Sequence, residues 1–265
     1  MGSPEITSPS NARIKRLAGL RERRSRDSEQ VLVVEGQRLF ERAMTGGYEC
    51  LELYYVPGRF APPPEAAAET FAVSEEALAR ASYRSRSQGV LGVFRQPANR
   101  IGALDVKADS LFLLLEGLGK PGNLGAILRT ADAVGATAVM VADARTDLYN
   151  PNVIRASTGA IFSMTCVTGD LIELITFLRS HSVTIIALDG SARMSLWDTE
   201  LTRPLALLVG SEDVGLTASA RSLCDRSMSI PMAGASDSLN ASVAVAVAVF
   251  EVVRRSQSNG ITDHH

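Results

Sequence analysis

Residues 111–115, 138–142, 183–188, 205–209 and 228–232 are short, nearly unbroken apolar runs, and stretches of helical pattern at 123–134, 170–180, 217–224 and 238–255 are interspersed with them. A strand that is apolar at almost every position is buried on both faces, which points to a parallel sheet with helices packed on either side. The expectation is therefore an α/β fold, with a further strand at 163–167 after a helix near 152–159. In such sheets ligands gather beyond the carboxyl ends of the strands, and the polar motifs of this part of the chain fall there. One segment fits two templates, because residues 241–250 alternate small and large side chains as a strand would. Its alanine content, the lack of breakers before Arg255 and the terminal pair Arg254-Arg255 favour a helix.

The chain up to about Pro97 has a different rhythm. Ser10-Asn11 is placed to cap a basic helix, residues 31–34 form a strand ending in Glu35-Gly36, and a helix from Gln37 stops at Gly46-Gly47. A strand at 51–56, a loop through Pro57 and Pro62-Pro63-Pro64, a helix at 75–81 and a strand at 89–94 complete a small α/β module. Residues 99–109 hold no period, which divides the chain into a module at 1–98, a linker at 99–109 and a second domain at 110–265.

At 265 residues, 46% apolar and 21% charged, the sequence is that of a folded protein. The net charge is only −2, yet between residues 13 and 26 seven basic residues, Arg13, Lys15, Arg16, Arg21, Arg23, Arg24 and Arg26, face the single acid Glu22. Residues 80–100 carry five arginines and no acid, Arg84 and Arg86 among them. Such clustering implies a polyanionic partner. Cys50, Cys166 and Cys224 are far apart, without a CxxC pair, and His181 is the single histidine away from the C-terminus, which argues against a metal cluster, a disulfide framework or a histidine-based triad. The start has no apolar signal region, Ile6 stands where a myristoylation motif wants Ser or Thr, and the longest apolar run, 243–250, is too short to span a bilayer. A soluble cytoplasmic protein, with no membrane and no metal, is expected.

Gly117-Leu-Gly119-Lys-Pro-Gly122 spells GxGxxG after a strand, and Asp143 follows the next strand about where a ribose-binding acid would sit. A nicotinamide oxidoreductase explains that much, but it leaves Asn123, Arg129 and the C-terminal motifs without a role. Asn123 reads equally as a helix cap, and Arg129 as a solvated cation or as a forked donor suited to phosphate. Residues 150–160 are polar and small, either a capped turn or a surface for close approach. Gly210-Ser211-Glu212, with Gly215, ends a strand where backbone approaches a ligand or simply turns. Met228 to Asn240 is a strand followed by a loop of small polar residues, and Ser238-Leu239-Asn240 at a helix start serves capping and ligand binding alike.

Pro121-Gly-Asn123-Leu-Gly125-Ala-Ile-Leu-Arg129, Arg155-Ala-Ser-Thr-Gly159-Ala160, Gly210-Ser-Glu212-Asp-Val-Gly215-Leu216 and Ile230-Pro-Met232 with Ser238-Leu-Asn240 resemble, in order and spacing, the motifs of SpoU-type RNA ribose 2'-O-methyltransferases of the SPOUT superfamily. The resemblance covers about residues 110–255 and departs at Lys120, where many members carry an acid. Residues 6–15 and 33–39 are similar to the RNA-binding extension of ribosomal-protein L30e-like fold that many members carry. Within the family the chain resembles ribosomal RNA enzymes, including those conferring resistance to ribosome-targeting antibiotics, with tRNA methylation as the alternative.

The resemblance implies a C-terminal deep trefoil knot, a homodimer and S-adenosylmethionine as methyl donor, held by backbone around Leu188, Gly210, Ile230 and Leu239. It implies Arg129 at the reacting ribose, as a clamp on the target phosphate or as a literal base; Asn123 orienting substrate or Arg129; Glu212 ordering the loops; and Ser238 and Asn240 positioning the 2'-hydroxyl and the methionine end. Arg13, Lys15, Arg16, Arg21, Arg23, Arg24, Arg84 and Arg86 become candidate RNA contacts. A non-catalytic RNA-binding protein is a further rival, which leaves the co-occurrence of Asn123, Arg129, Glu212, Ser238 and Asn240 unexplained.

Overall fold

The computed structural model describes residues 5–83, 87–98, 101–142, 147–235 and 238–260; the positions expected for Arg84, Arg86 and Asp143 lie outside them. Along the chain run helices α1 (Ala12–Gly19) and α2 (Arg23–Glu29), strand β1 (Val31–Glu35), α3 (Gln37–Thr45), β2 (Cys50–Tyr55), β3 (Glu69–Ala72), α4 (Glu75–Ala81) and β4 (Val90–Arg95). They are followed by β5 (Leu111–Glu116), α5 (Pro121–Ala133), β6 (Ala138–Ala142), α6 (Pro151–Ala156), β7 (Cys166–Gly169), α7 (Leu171–Ser180), β8 (Thr184–Leu188), β9 (Leu205–Val209), α8 (Ala218–Ser222), β10 (Arg226–Met228) and α9 (Ala241–Gly260). The contacts divide the chain into unit 1, Met1–Ala98 with Asp147–Ser163, and unit 2, Asn99–Thr146 with Met164–His265.

Unit 1 is built on a mixed four-stranded sheet, ordered β1-β4-β2-β3. Asn11 caps α1 by accepting from the Arg13 amide, and Ser74 caps α4 through the Ala77 amide. Both helices cover one sheet face, where Ile14, Leu17 and Leu20 meet Ala77, Leu78, Val33 and Val93. Strand β3 is absent from the sequence expectation because its Glu-Thr-Phe-Ala is a half-exposed edge with no clear alternation, defined by parallel pairing to β2. The inclusion of residues 147–163 differs from the expected division at 98 and 110. Its physical cause is visible: the Arg26 guanidinium, 1% exposed, pairs with Asp147 and donates to the carbonyls of Leu20 and Arg21. Phe162 lies edge-on to Tyr48 at 5.1 Å, and Arg42 donates to the Thr158 carbonyl.

Unit 2 is the expected parallel sheet, six strands in the order β10-β8-β9-β5-β6-β7. Strands β5, β6 and β9 are buried at every position, as strands covered on both faces must be. Phe112, Leu114, Met140, Ala206 and Leu208 pack against Leu171, Leu174, Ile175 and Leu178 of α7. Each such burial contributes about 1.5–3 kcal/mol. Helices α5 and α9 pack on each other, and residues 241–250 are helical. Two expectations shift. The strand expected at 163–167 starts at Cys166, and that expected at 228–232 ends at Met228, because Ser229 leaves the ladder to bond Met194 and Leu196 and Pro231 has no amide to donate.

Arg26→Ala leaves the Asp147 carboxylate and two carbonyls without their cation, and urea unfolding should show a loss of about 3–5 kcal/mol. If the double variant with Asp147→Ala lost the full sum of the two single losses, the pair would not be coupled.

Candidate functional site

Strands β10, β8, β9 and β5 run parallel with Met228 beside Leu188, Leu188 beside Val209 and Val209 beside Leu115. The strand ends therefore lie at one level, and the loops that leave β8, β9 and β10 open on a single pocket of about 820 Å³, its mouth included. Leu188, Asp189, Val209, Gly210, Glu212, Leu216, Ile230, Ser238 and Leu239 line it. Five of the expected site residues other than Glu212 meet here: Leu188, Gly210, Ile230, Ser238 and Leu239.

The loop after β9 is closed on itself, since Ser211 and Gly215 exchange backbone hydrogen bonds of 3.2 and 2.9 Å. A Cβ on Gly210 would fall 2.2 Å from the Gly215 carbonyl carbon and 2.4 Å from the Leu216 amide, so only glycine permits this turn. Glu116, at the end of β5 and 6% exposed, fixes the far side of the loop by accepting from the Thr217 amide at 2.9 Å and its hydroxyl at 2.7 Å. Sequence reasoning passed over Glu116, although an acid ending an otherwise apolar strand was a visible signal. Asp189 was also missed; it accepts from the Ser191 amide and hydroxyl and pairs with Arg221 at 2.6 Å, which shapes the loop after β8. Those interactions outweigh its desolvation and hold its carboxyl below the usual range.

Glu212 is largely buried and pairs through one oxygen with Lys120 at 2.9 Å; its other oxygen is buried with no described partner. Lys120, the departure from the family pattern, is thus the counter-ion of Glu212, and the carboxylates of Glu212 and Asp213 raise its pKa. Asn240 begins α9 by accepting from the Ser242 amide at 2.9 Å, and its amide donates to Asn123 at 3.2 Å. The Asn123 nitrogen is buried and without a described partner. Arg129 stands apart, exposed on α5 about 9 Å along the helix axis from Asn123, outside the pocket lining and with its side chain unbonded to any described residue.

The GxGxxG reading is not supported by this geometry. A Cβ at Gly122 would meet nothing within 4 Å, so this glycine does not serve the close helix–strand packing that the third glycine of a dinucleotide turn provides. The pocket opens instead at the ends of β8, β9 and β10. The thiols are inert by burial, which pushes Cys50 and Cys166 up to about 12.

The expected basic face of unit 1 is largely neutralised. Arg13 pairs with Glu69 at 3.1 Å and lies over the Phe71 ring, Arg16 pairs with Glu29 and Glu52, and Arg23 pairs with Asp27. Arg21 donates to the carbonyls of Arg80 and Ser82. Lys15 and Arg24 are exposed, and their side chains make no bond to another described residue.

Comparison with known proteins agrees with this architecture. Residues 110–250 match the SpoU rRNA Methylase family, and residues 11–92 match the MRM3-like substrate binding domain. A 23S rRNA (uridine(2479)-2'-O)-methyltransferase of Streptomyces viridochromogenes is 36% identical over 63% of this chain and 60% of its own length, so the chain spans about three-fifths of that relative. A 23S rRNA (guanosine-2'-O-)-methyltransferase, RlmB, of Yersinia pestis is 37% identical over 63% of this chain and 71% of its own. The crystal structure of the SpoU methyltransferase AviRb from Streptomyces viridochromogenes, in complex with the cofactor AdoMet, superposes with a TM-score of 0.86 at 30% identity, covering 94% of this chain and 99% of that one. A family match over more than half of the sequence, on a parallel sheet whose loops gather the family's motif residues, establishes that this chain belongs to the SpoU rRNA methylase family.

Proposed function

We propose that this chain is an S-adenosylmethionine-dependent ribosomal RNA ribose 2'-O-methyltransferase acting on 23S rRNA. The observation that carries the reading is the pocket at the aligned strand ends, whose lining unites Leu188, Gly210, Ile230 and Leu239 with Glu212 and Ser238. Its apolar walls with a few polar groups suit a ligand that is part adenine and part amino acid. The buried oxygen of Glu212, which has no partner among the described residues, is an acceptor for the hydroxyl or ammonium of such a ligand. When bound, the donor supplies a methyl group made electrophilic by a cationic sulfur. Ribosomal RNA is favoured over tRNA because both relatives named above act on 23S rRNA and because the substrate-binding match extends through residues 11–92.

Asn123 holds Asn240 at the start of α9, and with Ser238 they orient the ribose hydroxyl toward the methyl. Arg129 clamps the phosphate of the target nucleotide and stabilises the alkoxide that develops at the 2'-oxygen. A guanidinium holds its proton firmly, so the hydroxyl proton passes to a phosphate oxygen or to water.

Residues 228–260 form the knotted segment of the proposal. In support, Met228 and Ser229 bond to Asp189, Met194 and Leu196, while Arg255 reaches back to the carbonyls of Leu196, Trp197 and Thr199. The loop between Asp189 and Thr199 is thus gripped at both ends of that segment. Val243 and Phe250 on α9, with Met194 and Trp197, are each about half exposed and supply apolar surface for a homodimer. Unit 1 serves as the L30e-like RNA-binding module.

Transfer of labelled methyl to total RNA, followed by mapping of the modified ribose, tests the function; no incorporation into 23S rRNA refutes it. Arg129→Ala should lower transfer about 10²–10³-fold while S-adenosylmethionine affinity, read by calorimetry, stays within about twofold. Gly210→Ala should abolish donor binding, since its new Cβ collides with the loop backbone; unaltered binding would place the donor elsewhere. In salt titrations of RNA affinity, Lys15→Glu and Arg24→Glu should flatten the salt slope more than Arg13→Gln or Arg16→Gln, whose charges are already matched. Equal effects from all four would mean that the ion pairs open on RNA.

A further inference from the structure

We propose that a notch in unit 1, walled by Glu35, Leu39, Tyr83, Ile154 and Arg155, receives one unpaired nucleotide of the RNA substrate, with its base on the Tyr83 ring and its phosphate at Arg155. The notch is a shallow surface depression, and none of its lining residues lines the donor pocket. The inference rests on the RNA methyltransferase reading and adds a recognition site to it.

The case is the way Tyr83 is held. Its side chain is 37% exposed, and exposed aromatic rings ordinarily lie loose on the surface. Here three tethers converge on it. Arg21 donates to the carbonyls of Arg80 and Ser82, fixing the backbone before the ring. Glu35 accepts from the Tyr83 amide. Asn152 donates from its side-chain nitrogen to the Tyr83 hydroxyl at 3.2 Å. The same Asn152 accepts through its oxygen from Arg155 at 2.6 Å, so one amide sets the ring and the guanidinium relative to each other.

Surface hydrogen bonds of this kind contribute little net stability, and ordering a tyrosine and an arginine costs side-chain entropy. An exposed ring and an exposed cation fixed beside a notch are therefore arranged for a ligand that has both a flat face and a negative charge. An unpaired nucleotide has both, and aromatic stacking with a cation on the backbone is how proteins hold single strands. The arrangement also reassigns Arg21. Its guanidinium acts through Tyr83 as a positioning group, with one terminal nitrogen shared between two protein carbonyls.

The test titrates the full chain and its Tyr83→Ala, Tyr83→Phe and Arg155→Gln variants with a labelled oligouridylate of about ten nucleotides, at several salt concentrations. Tyr83→Ala should weaken binding about five- to a hundredfold and leave the salt slope unaltered, because stacking releases no counterions. Tyr83→Phe should bind within about threefold of the intact chain, which separates a lost ring from a disturbed fold. Arg155→Gln should lower the slope by about 0.7, the value for one single-strand phosphate. Unchanged affinity in Tyr83→Ala overturns the notch, as does failure of the intact chain to bind the oligonucleotide. Methyl transfer to total RNA is scored separately on the intact chain: absent transfer with Tyr83-dependent binding retained removes the catalytic reading and leaves the notch standing.

Discussion

The register of the parallel sheet in unit 2 is the constraint on which its chemistry depends. Met228, Leu188, Val209 and Leu115 lie side by side, so the loops that follow β10, β8, β9 and β5 all leave at one level. A slip of one residue would turn every buried side chain of a strand to the opposite face and disorder both layers of packing. The packing therefore fixes the strand ends, and the strand ends fix the site. Glu116 extends that control beyond the sheet, because its buried carboxylate seizes Thr217 and holds the loop from Gly210 to Leu216 against the end of β5. With Gly210 too crowded for any side chain, that loop has little freedom left.

Several parts of this design are legible in the chain itself. Strands β6 and β9 and helix α4 occupy the bounds expected from apolar runs and helical pattern, since local periodicity alone determines them. Strand β3 was not legible, because its existence depends on pairing with β2 rather than on its own residues. The early end of β10 depends on Ser229 finding Met194 and Leu196. At the site, the residue types are readable and their partners are not. Asn123 and Asn240 are 117 residues apart, and no spacing rule links them. Lys120 looked like a departure from the family pattern and emerges as the counter-ion of Glu212.

Charge shows the same division between what a sequence displays and what a fold does with it. Seven basic residues facing one acid between positions 13 and 26 read as a cationic strip. In the folded chain the acids arrive from elsewhere: Glu69 meets Arg13, Glu52 meets Arg16, and Asp147, 121 residues away, meets Arg26. The exposed Arg13 pair adds little stability and the buried Arg26 pair holds the fold, yet both remove net charge from the surface. A count of arginines along a chain is accordingly an upper bound on the field an RNA would meet.

This division separates two kinds of cation by what they touch. Arg26 and Arg255 have both terminal guanidinium nitrogens bonded to protein, and Arg221 is paired with an acid at the rim of the pocket. They hold elements in place. Arg129, Lys15 and Arg24 are exposed, and their side chains are bonded to no other described residue. An unmatched cation contributes little to a fold, whereas its attraction for a polyanion is undiminished by competition from a neighbouring carboxylate. For the role proposed for Arg129 this carries a consequence: a guanidinium already paired would have to be released before it gripped a phosphate, and that release would raise the barrier. In the proposed reaction Arg129, held by the helix and with no side-chain partner among the described residues, would meet the developing charge without that step.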